Sequence, residues 1–376
     1  MATSTTHVLR HARWGGGGGS SSSSRRTLMT AADAAQQMLR VCEGQTRVQR
    51  QVLDGHQLQK LSLTLNRPRL HPGLDVTSGP PPEGTPLPPG YHLVYFSPAS
   101  VESELGADGT DRTFNAPGPF SRRMWAGGRM SWAPAAAPLR VGDEAEERTR
   151  LVGAAAKKSR GGSEMVLVDV EKEFWGPRGL ALVDRRAWVF RPPPGEALAR
   201  SDAQVAGVVP GAVGRHSTVE DVLVDGSGGL TVFGALALGS CSFPSGALLT
   251  VDTDTPQRRF QWSPVALFRF SALTFNAHMI HYNESWTKNV EAHPAAVVHG
   301  PLNLIAMMDY WRDVHGAGKQ AGDISYRALS PLYAGDEYAV RTESVKDVED
   351  GKSWDIVVAK NGTINMKGTI SAAPSL

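Results

Sequence analysis

Four of the chain's eleven histidines, His278, His281, His293 and His299, fall between Phe275 and Pro301, together with Asn276 and a Gly300-Pro301 step. Imidazole is the side chain that both takes and gives a proton near neutral pH, so this density predicts general acid/base chemistry. Within it, His281, in Phe275-Asn276-Ala277-His278-Met279-Ile280-His281, is the candidate for the proton-exchanging group. Asn276 cannot take a proton, but its amide both accepts from and donates to water, which suits it to orienting a nucleophile. His278 reads equally as an assistant on a substrate pocket and as a structural histidine, whereas His293 and His299 read as structural. Pro301 fits the first turn of a helix, where a missing N–H costs nothing. Gly300 before it offers a bare amide at the positive end of the helix dipole, a candidate donor to an oxygen gaining negative charge. By itself a Gly-Pro step more commonly only begins a helix.

These groups need a scaffold. From Gly300 to Val314, Leu304, Ile305, Met307, Met308, Tyr310, Trp311 and Val314 leave no polar face, so the spacing predicts a helix buried on nearly every side. Val48, Val52, Leu58, Leu61 and Leu65 predict a second helix over 48–65. Prolines from Pro80 to Pro89 read as a stiff linker, and Tyr91 to Phe96 as a strand. Val141 to Val152, Met165 to Phe174 and Ala181 to Phe190 alternate as an antiparallel meander does. Pro138-Leu139-Arg140-Val141-Gly142-Asp143-Glu144 recurs as Pro331-Leu332-Tyr333-Ala334-Gly335-Asp336-Glu337, with Arg148-Thr149 and Arg341-Thr342 in register behind. Phe114-Asn115-Ala116 echoes Phe275-Asn276-Ala277. The chain therefore reads as duplicated, with Phe120 to Gly128 the short, polar counterpart of the buried helix.

At 376 residues there is room for two domains or a duplicated unit with tails. A net charge of +2 without a basic run argues against nucleic acid, and no apolar stretch is long enough for a membrane-spanning helix. The only cysteines, Cys42 and Cys241, suggest neither disulfides nor a metal site, and no metal or cofactor is expected. Residues 1–40 are basic until Asp33 and rich in Ser and Gly, as a mitochondrial transit peptide or disordered tail is; a chloroplast address stays open. The expected organisation is this leader, a first half over 45–191, a linker or insertion over 192–257, and a catalytic half over 258–376. The Gly-rich apolar run from Gly226 to Leu249 has no physical account.

Phe270 to Tyr282, followed by Val297-Val298-His299-Gly300-Pro301-Leu302, resembles the catalytic half of the MaoC-like enoyl-thioester hydratases. The similarity is strongest to the branch holding fungal mitochondrial 3-hydroxyacyl-thioester dehydratase type 2 and mesaconyl-C4-CoA hydratase. Pro89 to Phe96, Glu104 to Gly109, Arg122 to Gly128 and Leu182 to Arg186 also resemble that branch. The resemblance implies an α+β double hot-dog, each half a sheet wrapping a central helix, with the first half's helix degenerate. It implies a hydro-lyase acting on acyl thioesters, without a cofactor, on acyl-CoA or acyl carrier protein. The wider family carries an aspartate five positions before the histidine, where this chain has Asn276; His281 is then left as the main acid/base group. Arg122 and Arg123 are candidates, with Pro301 and His278, for contacting the substrate; paired arginines are more often a solvated face.

Three readings follow. The first is a (3R)-3-hydroxyacyl-thioester dehydratase of mitochondrial type II fatty acid synthesis, and the second a hydratase of a short branched or dicarboxylic enoyl-CoA. The third is a non-catalytic thioester-binding protein, for which the missing aspartate speaks. A homodimer is left open.

Overall fold

The computed structural model describes residues 29–133, 138–159, 161–194, 217–224, 230–233, 256–349 and 351–373. Both copies of the sequence repeat fold into the same turn. Asp143 Oδ2 accepts the Arg140 amide at 2.8 Å and Asp336 Oδ2 accepts the Tyr333 amide at 2.9 Å. Gly142 and Gly335 take φ of 88° and 83°, which glycine reaches without steric cost. Their amides donate, each at 2.9 Å, to Leu53 O and Trp262 O. The next residues, Asp54 and Ser263, cap equivalent helices with their side chains.

The first half comprises α1 (Ala31–Cys42), β1 (Arg47–Val52), α2 (Gly55–Thr64), the small hairpin β2 (Arg69–His71) and β3 (Leu74–Asp75), then β4 (Arg122–Trp132), β5 (Glu144–Lys158), β6 (Glu164–Gly176) and β7 (Gly179–Arg191). An edge hairpin follows, β8 (Thr218–Val224) and β9 (Leu230–Phe233). The second half comprises β10 (Gln257–Gln261), α3 (Pro264–Leu273), α4 (Glu284–Asn289), α5 (Gly300–Trp311), β11 (Ala321–Ala328), β12 (Glu337–Val348), β13 (Gly351–Lys360) and β14 (Thr363–Ala372). Outward from the centre of the antiparallel sheet, β4-β7-β6-β5-β1 on one side is matched by β11-β14-β13-β12-β10 on the other. The halves join where β4 pairs β11, from Ser131↔Asp323 to Gly127↔Arg327. This is the α+β double hot-dog.

The sheet wraps α5. Leu302, Leu304, Ile305, Met307, Met308, Tyr310 and Trp311 are all within 1% of full burial, at roughly 1.5–3 kcal/mol for each large apolar side chain removed from water. The helix ends in a π-type turn over Arg312–Gly316. In the first half a single 3-10 turn, Tyr91–Val94, stands in place of such a helix, and Tyr91 Oη donates to Asp309 of α5 at 3.0 Å.

Several expectations change. Tyr91–Phe96 is this turn rather than a strand, and Phe120–Gly128 enters β4 rather than standing for the helix. The proposed helix over 48–65 is β1 followed by α2. Val48 and Val52 are four apart, which places them on one face of a strand as well as of a helix, and both are exposed. The Pro80–Pro89 stretch is a packed strap, not a linker: Gly84 donates to Val141 O, and Val141 donates to Thr85 O, each at 2.9 Å. Residues 31–40 belong to the folded body. Thr30 and Asp33 form a capping box, and Ala31, Ala34, Ala35 and Met38 bury against Val166, Val168, Val170 and Phe190. The leader expected over 1–40 otherwise lies outside the described residues, as do Cys241 and most of the Gly-rich run. Within 192–257, β8 and β9 extend the sheet beyond β10.

Candidate active site

Position 276 sits just after the exit of α3. That helix ends as α2 does: Thr274 and Leu65 donate back to Phe270 O and Leu61 O, and Phe275 and Asn66 follow in the left-handed region, at φ 49° and 56°. The amides of Asn276 and Arg67 then return to Ser271 O and Ser62 O, each at 2.9 Å. The structural counterpart of Asn276 is therefore Arg67, and the echo at Phe114–Ala116 is not the duplicate position; it precedes β4.

After Asn276, the Met279–His281 turn carries His281 inward to 7% exposure. His281 Nδ1 lies 2.7 Å from Val297 O. A carbonyl only accepts, so Nδ1 holds the proton and Nε2 is the free base. Val297 is clamped in turn: its amide donates to Ile280 O at 2.9 Å, and the Val298 amide donates to Leu332 O, of the second repeat turn, at 2.8 Å. Burial pulls His281 down to about 4, against a smaller upward pull from the Val297 bond. The ring is neutral at pH 7.

His299 stacks on His281 with centroids 3.6 Å apart, and its Nε2 is 2.9 Å from Ser271 Oγ. His278 meets His281 edge-on at 5.4 Å. Burial first, then the neighbouring imidazoles, hold both well below the usual imidazole range, and Arg123 and Arg122 add to the effect on His278. His293 lies at the cavity wall, 3.4 Å from Tyr333 Oη.

A carboxylate does reach this cluster, from the first half. Asp108 Oδ2 is 3.6 Å from His278 Nε2, and Asp108 O accepts the Met279 amide at 2.8 Å. Asn276 Oδ1 accepts the His278 amide at 3.2 Å. Next to Asp108, Gly109 has φ 81°, and a Cβ there would lie 2.1 Å from Ala277 O. Glycine is what lets the two loops meet.

Helix α5 begins at Gly300, with Pro301 in its first turn and His299 as the N-cap. A first-turn amide has no acceptor within its own helix. Trp125 of β4 packs on Gly300 so closely that a Cβ would lie 3.0 Å from Trp125 Cγ. Of the two arginines, Arg122 is engaged: Nε bonds Glu291 Oε2, and Nη2 donates to Glu291 O at 2.9 Å. Arg123 donates only to neutral oxygens, Asp111 O at 3.2 Å and Asn115 Oδ1 at 3.5 Å, and lies over Trp188.

All seven residues singled out in the sequence, Asn276, His278, His281, Gly300, Pro301, Arg122 and Arg123, line one cleft of about 1760 Å³ between the halves. Eight cationic and three acidic side chains line it among the described residues. Sequence reasoning missed Asp108, Trp125 and Val297. Asp108-Gly109 and Trp125 stood inside stretches resembling the family, but their partners are more than 160 residues away, and Val297 acts through its backbone.

The hydroxyacyl-thioester dehydratase type 2 family matches residues 90–219 and 247–334, more than half of the chain. Mesaconyl-C(4)-CoA hydratase of Chloroflexus aurantiacus is 28% identical over 262 residues, covering 69% of this chain and 76% of that protein. The mitochondrial hydroxyacyl-thioester dehydratase type 2 of Schizosaccharomyces pombe is 26% identical over 258 residues, covering 66% and 75%. Among solved structures, a MaoC-like dehydratase superposes with a TM-score of 0.54 at 13% identity, covering 90% of this chain and all of that one. HtdX of Mycobacterium tuberculosis gives 0.51 at 13% identity, covering 87% of this chain and all of that one. With the family matched across both halves, the chain belongs to the hydroxyacyl-thioester dehydratase type 2 family, whose curated relatives are hydro-lyases.

Proposed function

We propose that the chain is a (3R)-3-hydroxyacyl-thioester dehydratase, reversible as an enoyl-thioester hydratase, serving mitochondrial type II fatty acid synthesis. The observation that carries this is the Nδ1–H of His281 bonded to Val297 O, which leaves Nε2 as an unprotonated base on the cleft that Gly300 also lines. In the dehydration direction Nε2 takes the α-proton, and the electron pair of the broken C–H bond moves toward the thioester carbonyl. The oxygen gains charge, which the Gly300 amide and the helix dipole stabilise. The β C–O bond then breaks, the α,β double bond forms, and the leaving hydroxide takes the proton from His281 as water. A ring held at about 4 is a strong acid once protonated, so it returns that proton readily. Asn276 orients the departing or attacking water, and the Asp108 carboxylate lies beside His278, 3.6 Å from its Nε2. Pro301 fixes the helix start. The excess of cationic groups around the cleft suits a polyanionic carrier such as coenzyme A or acyl carrier protein. The mitochondrial setting rests on the basic leader and on the fission-yeast relative's name.

A second reading, hydration of a dicarboxylic enoyl-CoA, is favoured by Arg123, a cleft-lining guanidinium with no carboxylate in ion-pair range among the described residues. Hydration of crotonyl-CoA, a longer trans-2-enoyl-CoA and mesaconyl-C4-CoA by the full chain, followed by loss of the conjugated thioester's ultraviolet absorbance, tests both readings. His281→Ala should lower the rate by roughly 100-fold or more, the scale of a lost general base. No turnover of any of the three would overturn the enzymatic reading, and a near-normal rate for His281→Ala would overturn the assignment of the base.

A further inference from the structure

Helix α5 brings to the cleft one more polar side chain that no step of the elimination uses. Asn303 follows Gly300 by three residues, so the two share a helix face, and helical side chains lean toward the N-terminus. Asn303 therefore leans over the turn that carries Gly300. It lines the cleft and is 6% exposed.

Its amide has a determined orientation. An indole N–H can only donate, and Trp262 Nε1 donates to Tyr338 Oη at 2.5 Å. The Tyr338 proton then goes to Asn303 Oδ1 at 2.8 Å. Both rings are buried, and burial pushes the phenol upward, so it keeps its proton. Turning the amide over would leave that proton without an acceptor in a dry site, at a cost of about 1–3 kcal/mol. With Oδ1 held by Tyr338, Nδ2 is the end left for the cleft.

We propose that Asn303 Nδ2 is a second donor to the thioester oxygen, beside the Gly300 amide, and that the Trp262–Tyr338 relay holds it in that orientation. This rests on the hydratase reading. An enolate-like oxygen has lone pairs for two donors, and a preoriented donor stabilises the charge as it forms without reorganising.

Asn303→Ala removes the donor, whereas Asn303→Asp keeps the shape and the acceptor for Tyr338 but sets a carboxylate against the developing charge. With crotonyl-CoA, kcat should fall about 10- to 100-fold in Asn303→Ala, on the scale of a lost oxyanion donor, with KM nearly unchanged, and further in Asn303→Asp. A merely structural role gives the reverse order, because the isosteric variant preserves the Tyr338 bond, and that order would overturn the proposal. The infrared stretch of a ¹³C-labelled carbonyl in bound crotonyl-CoA supplies a readout independent of turnover. It should move to higher frequency in Asn303→Ala relative to wild type, and an unchanged stretch would equally overturn the proposal. A wild type that binds without turnover would instead overturn the hydratase reading, and the stretch would still report whether Asn303 donates.

Discussion

Lowering the pH from 8 to 5 should destabilise the folded chain by about 2 kcal/mol through His281 alone, at roughly 1.4 kcal/mol per pH unit. The ring ordinarily titrates at 6.5, and burial brings it down to about 4. The unfolded chain therefore takes up a proton as pH falls through 6.5, while the folded chain refuses it until about 4. His281's contribution is complete above 6.5, is lost through the window between these values, and is constant below it. At pH 5 the unfolded ring is almost wholly charged and the folded ring almost wholly neutral, so most of the interval has been crossed. Urea unfolding of the wild type and of His281→Gln at pH 8 and pH 5 isolates the effect, because His278 and His299 are present in both proteins. The wild type should lose about 2 kcal/mol more than the variant. An equal loss in both would refute the reasoning. The same burial predicts that kcat/KM stays flat from pH 8 to about 5 and falls toward 4. A fall centred near 6.5 would mean that the working base is a solvated imidazole, not buried His281.

Two substitutions probe the groups around it. Gly300→Ala places a methyl 3.0–3.2 Å from Trp125 Cγ, Cβ and Cδ1, closer than ordinary van der Waals contact. The helix start must retreat by a few tenths of an ångström, and kcat should drop about tenfold, since misplacement by 1 Å costs roughly 100-fold. A variant with wild-type kcat would remove Gly300 from the oxyanion site. Arg123→Gln should raise KM for mesaconyl-C4-CoA by about tenfold or more, the scale of a lost charge-assisted hydrogen bond, while leaving crotonyl-CoA within about twofold. Equal increases for both would assign Arg123 to the carrier rather than to the acyl group.

What was legible in the sequence was what neighbouring residues determine together. The Gly-Asp turns announced the duplication because the turn itself uses the glycine's positive φ and the short carboxylate's bond to a turn amide, while the leucine before it enters the core. The central helix was legible because a dodecamer with large apolar side chains on nearly every side has no other place to go. His281 stood out by type and spacing, but its tautomer depends on Val297 O, a backbone atom that no side chain reveals. The carboxylate missing at position 276 led to the expectation of a site without one. A carboxylate, Asp108, comes within 3.6 Å of His278 from a loop that meets the motif only because Gly109 permits the contact. Misreadings clustered where spacing is ambiguous, as with Val48 and Val52, or where proline suggested a free linker and the strap is pinned by ladder bonds.

The duplication also accounts for the different fate of the equivalent position in the first half. At the position equivalent to Asn276 the first half carries Arg67, whose guanidinium grips both oxygens of Asp313, at 2.7 and 3.0 Å. Asp309, one turn earlier, accepts Tyr91 Oη and lies 3.6 Å from Arg67 Nε. The far end of α5 thus fills the space in which the first half would need its own helix start, and an ion pair stands where a water would have to be held. A single helix lies between two pseudo-equivalent exits. Its N-terminus, with a free amide and positive dipole, faces Asn276 and His281, and its acidic C-terminal turn faces Arg67. Under the proposed function, the polarity of one helix therefore gives the end suited to an anion to the second half. The other half is left to supply walls of the cleft, Trp125 and Arg123 among them.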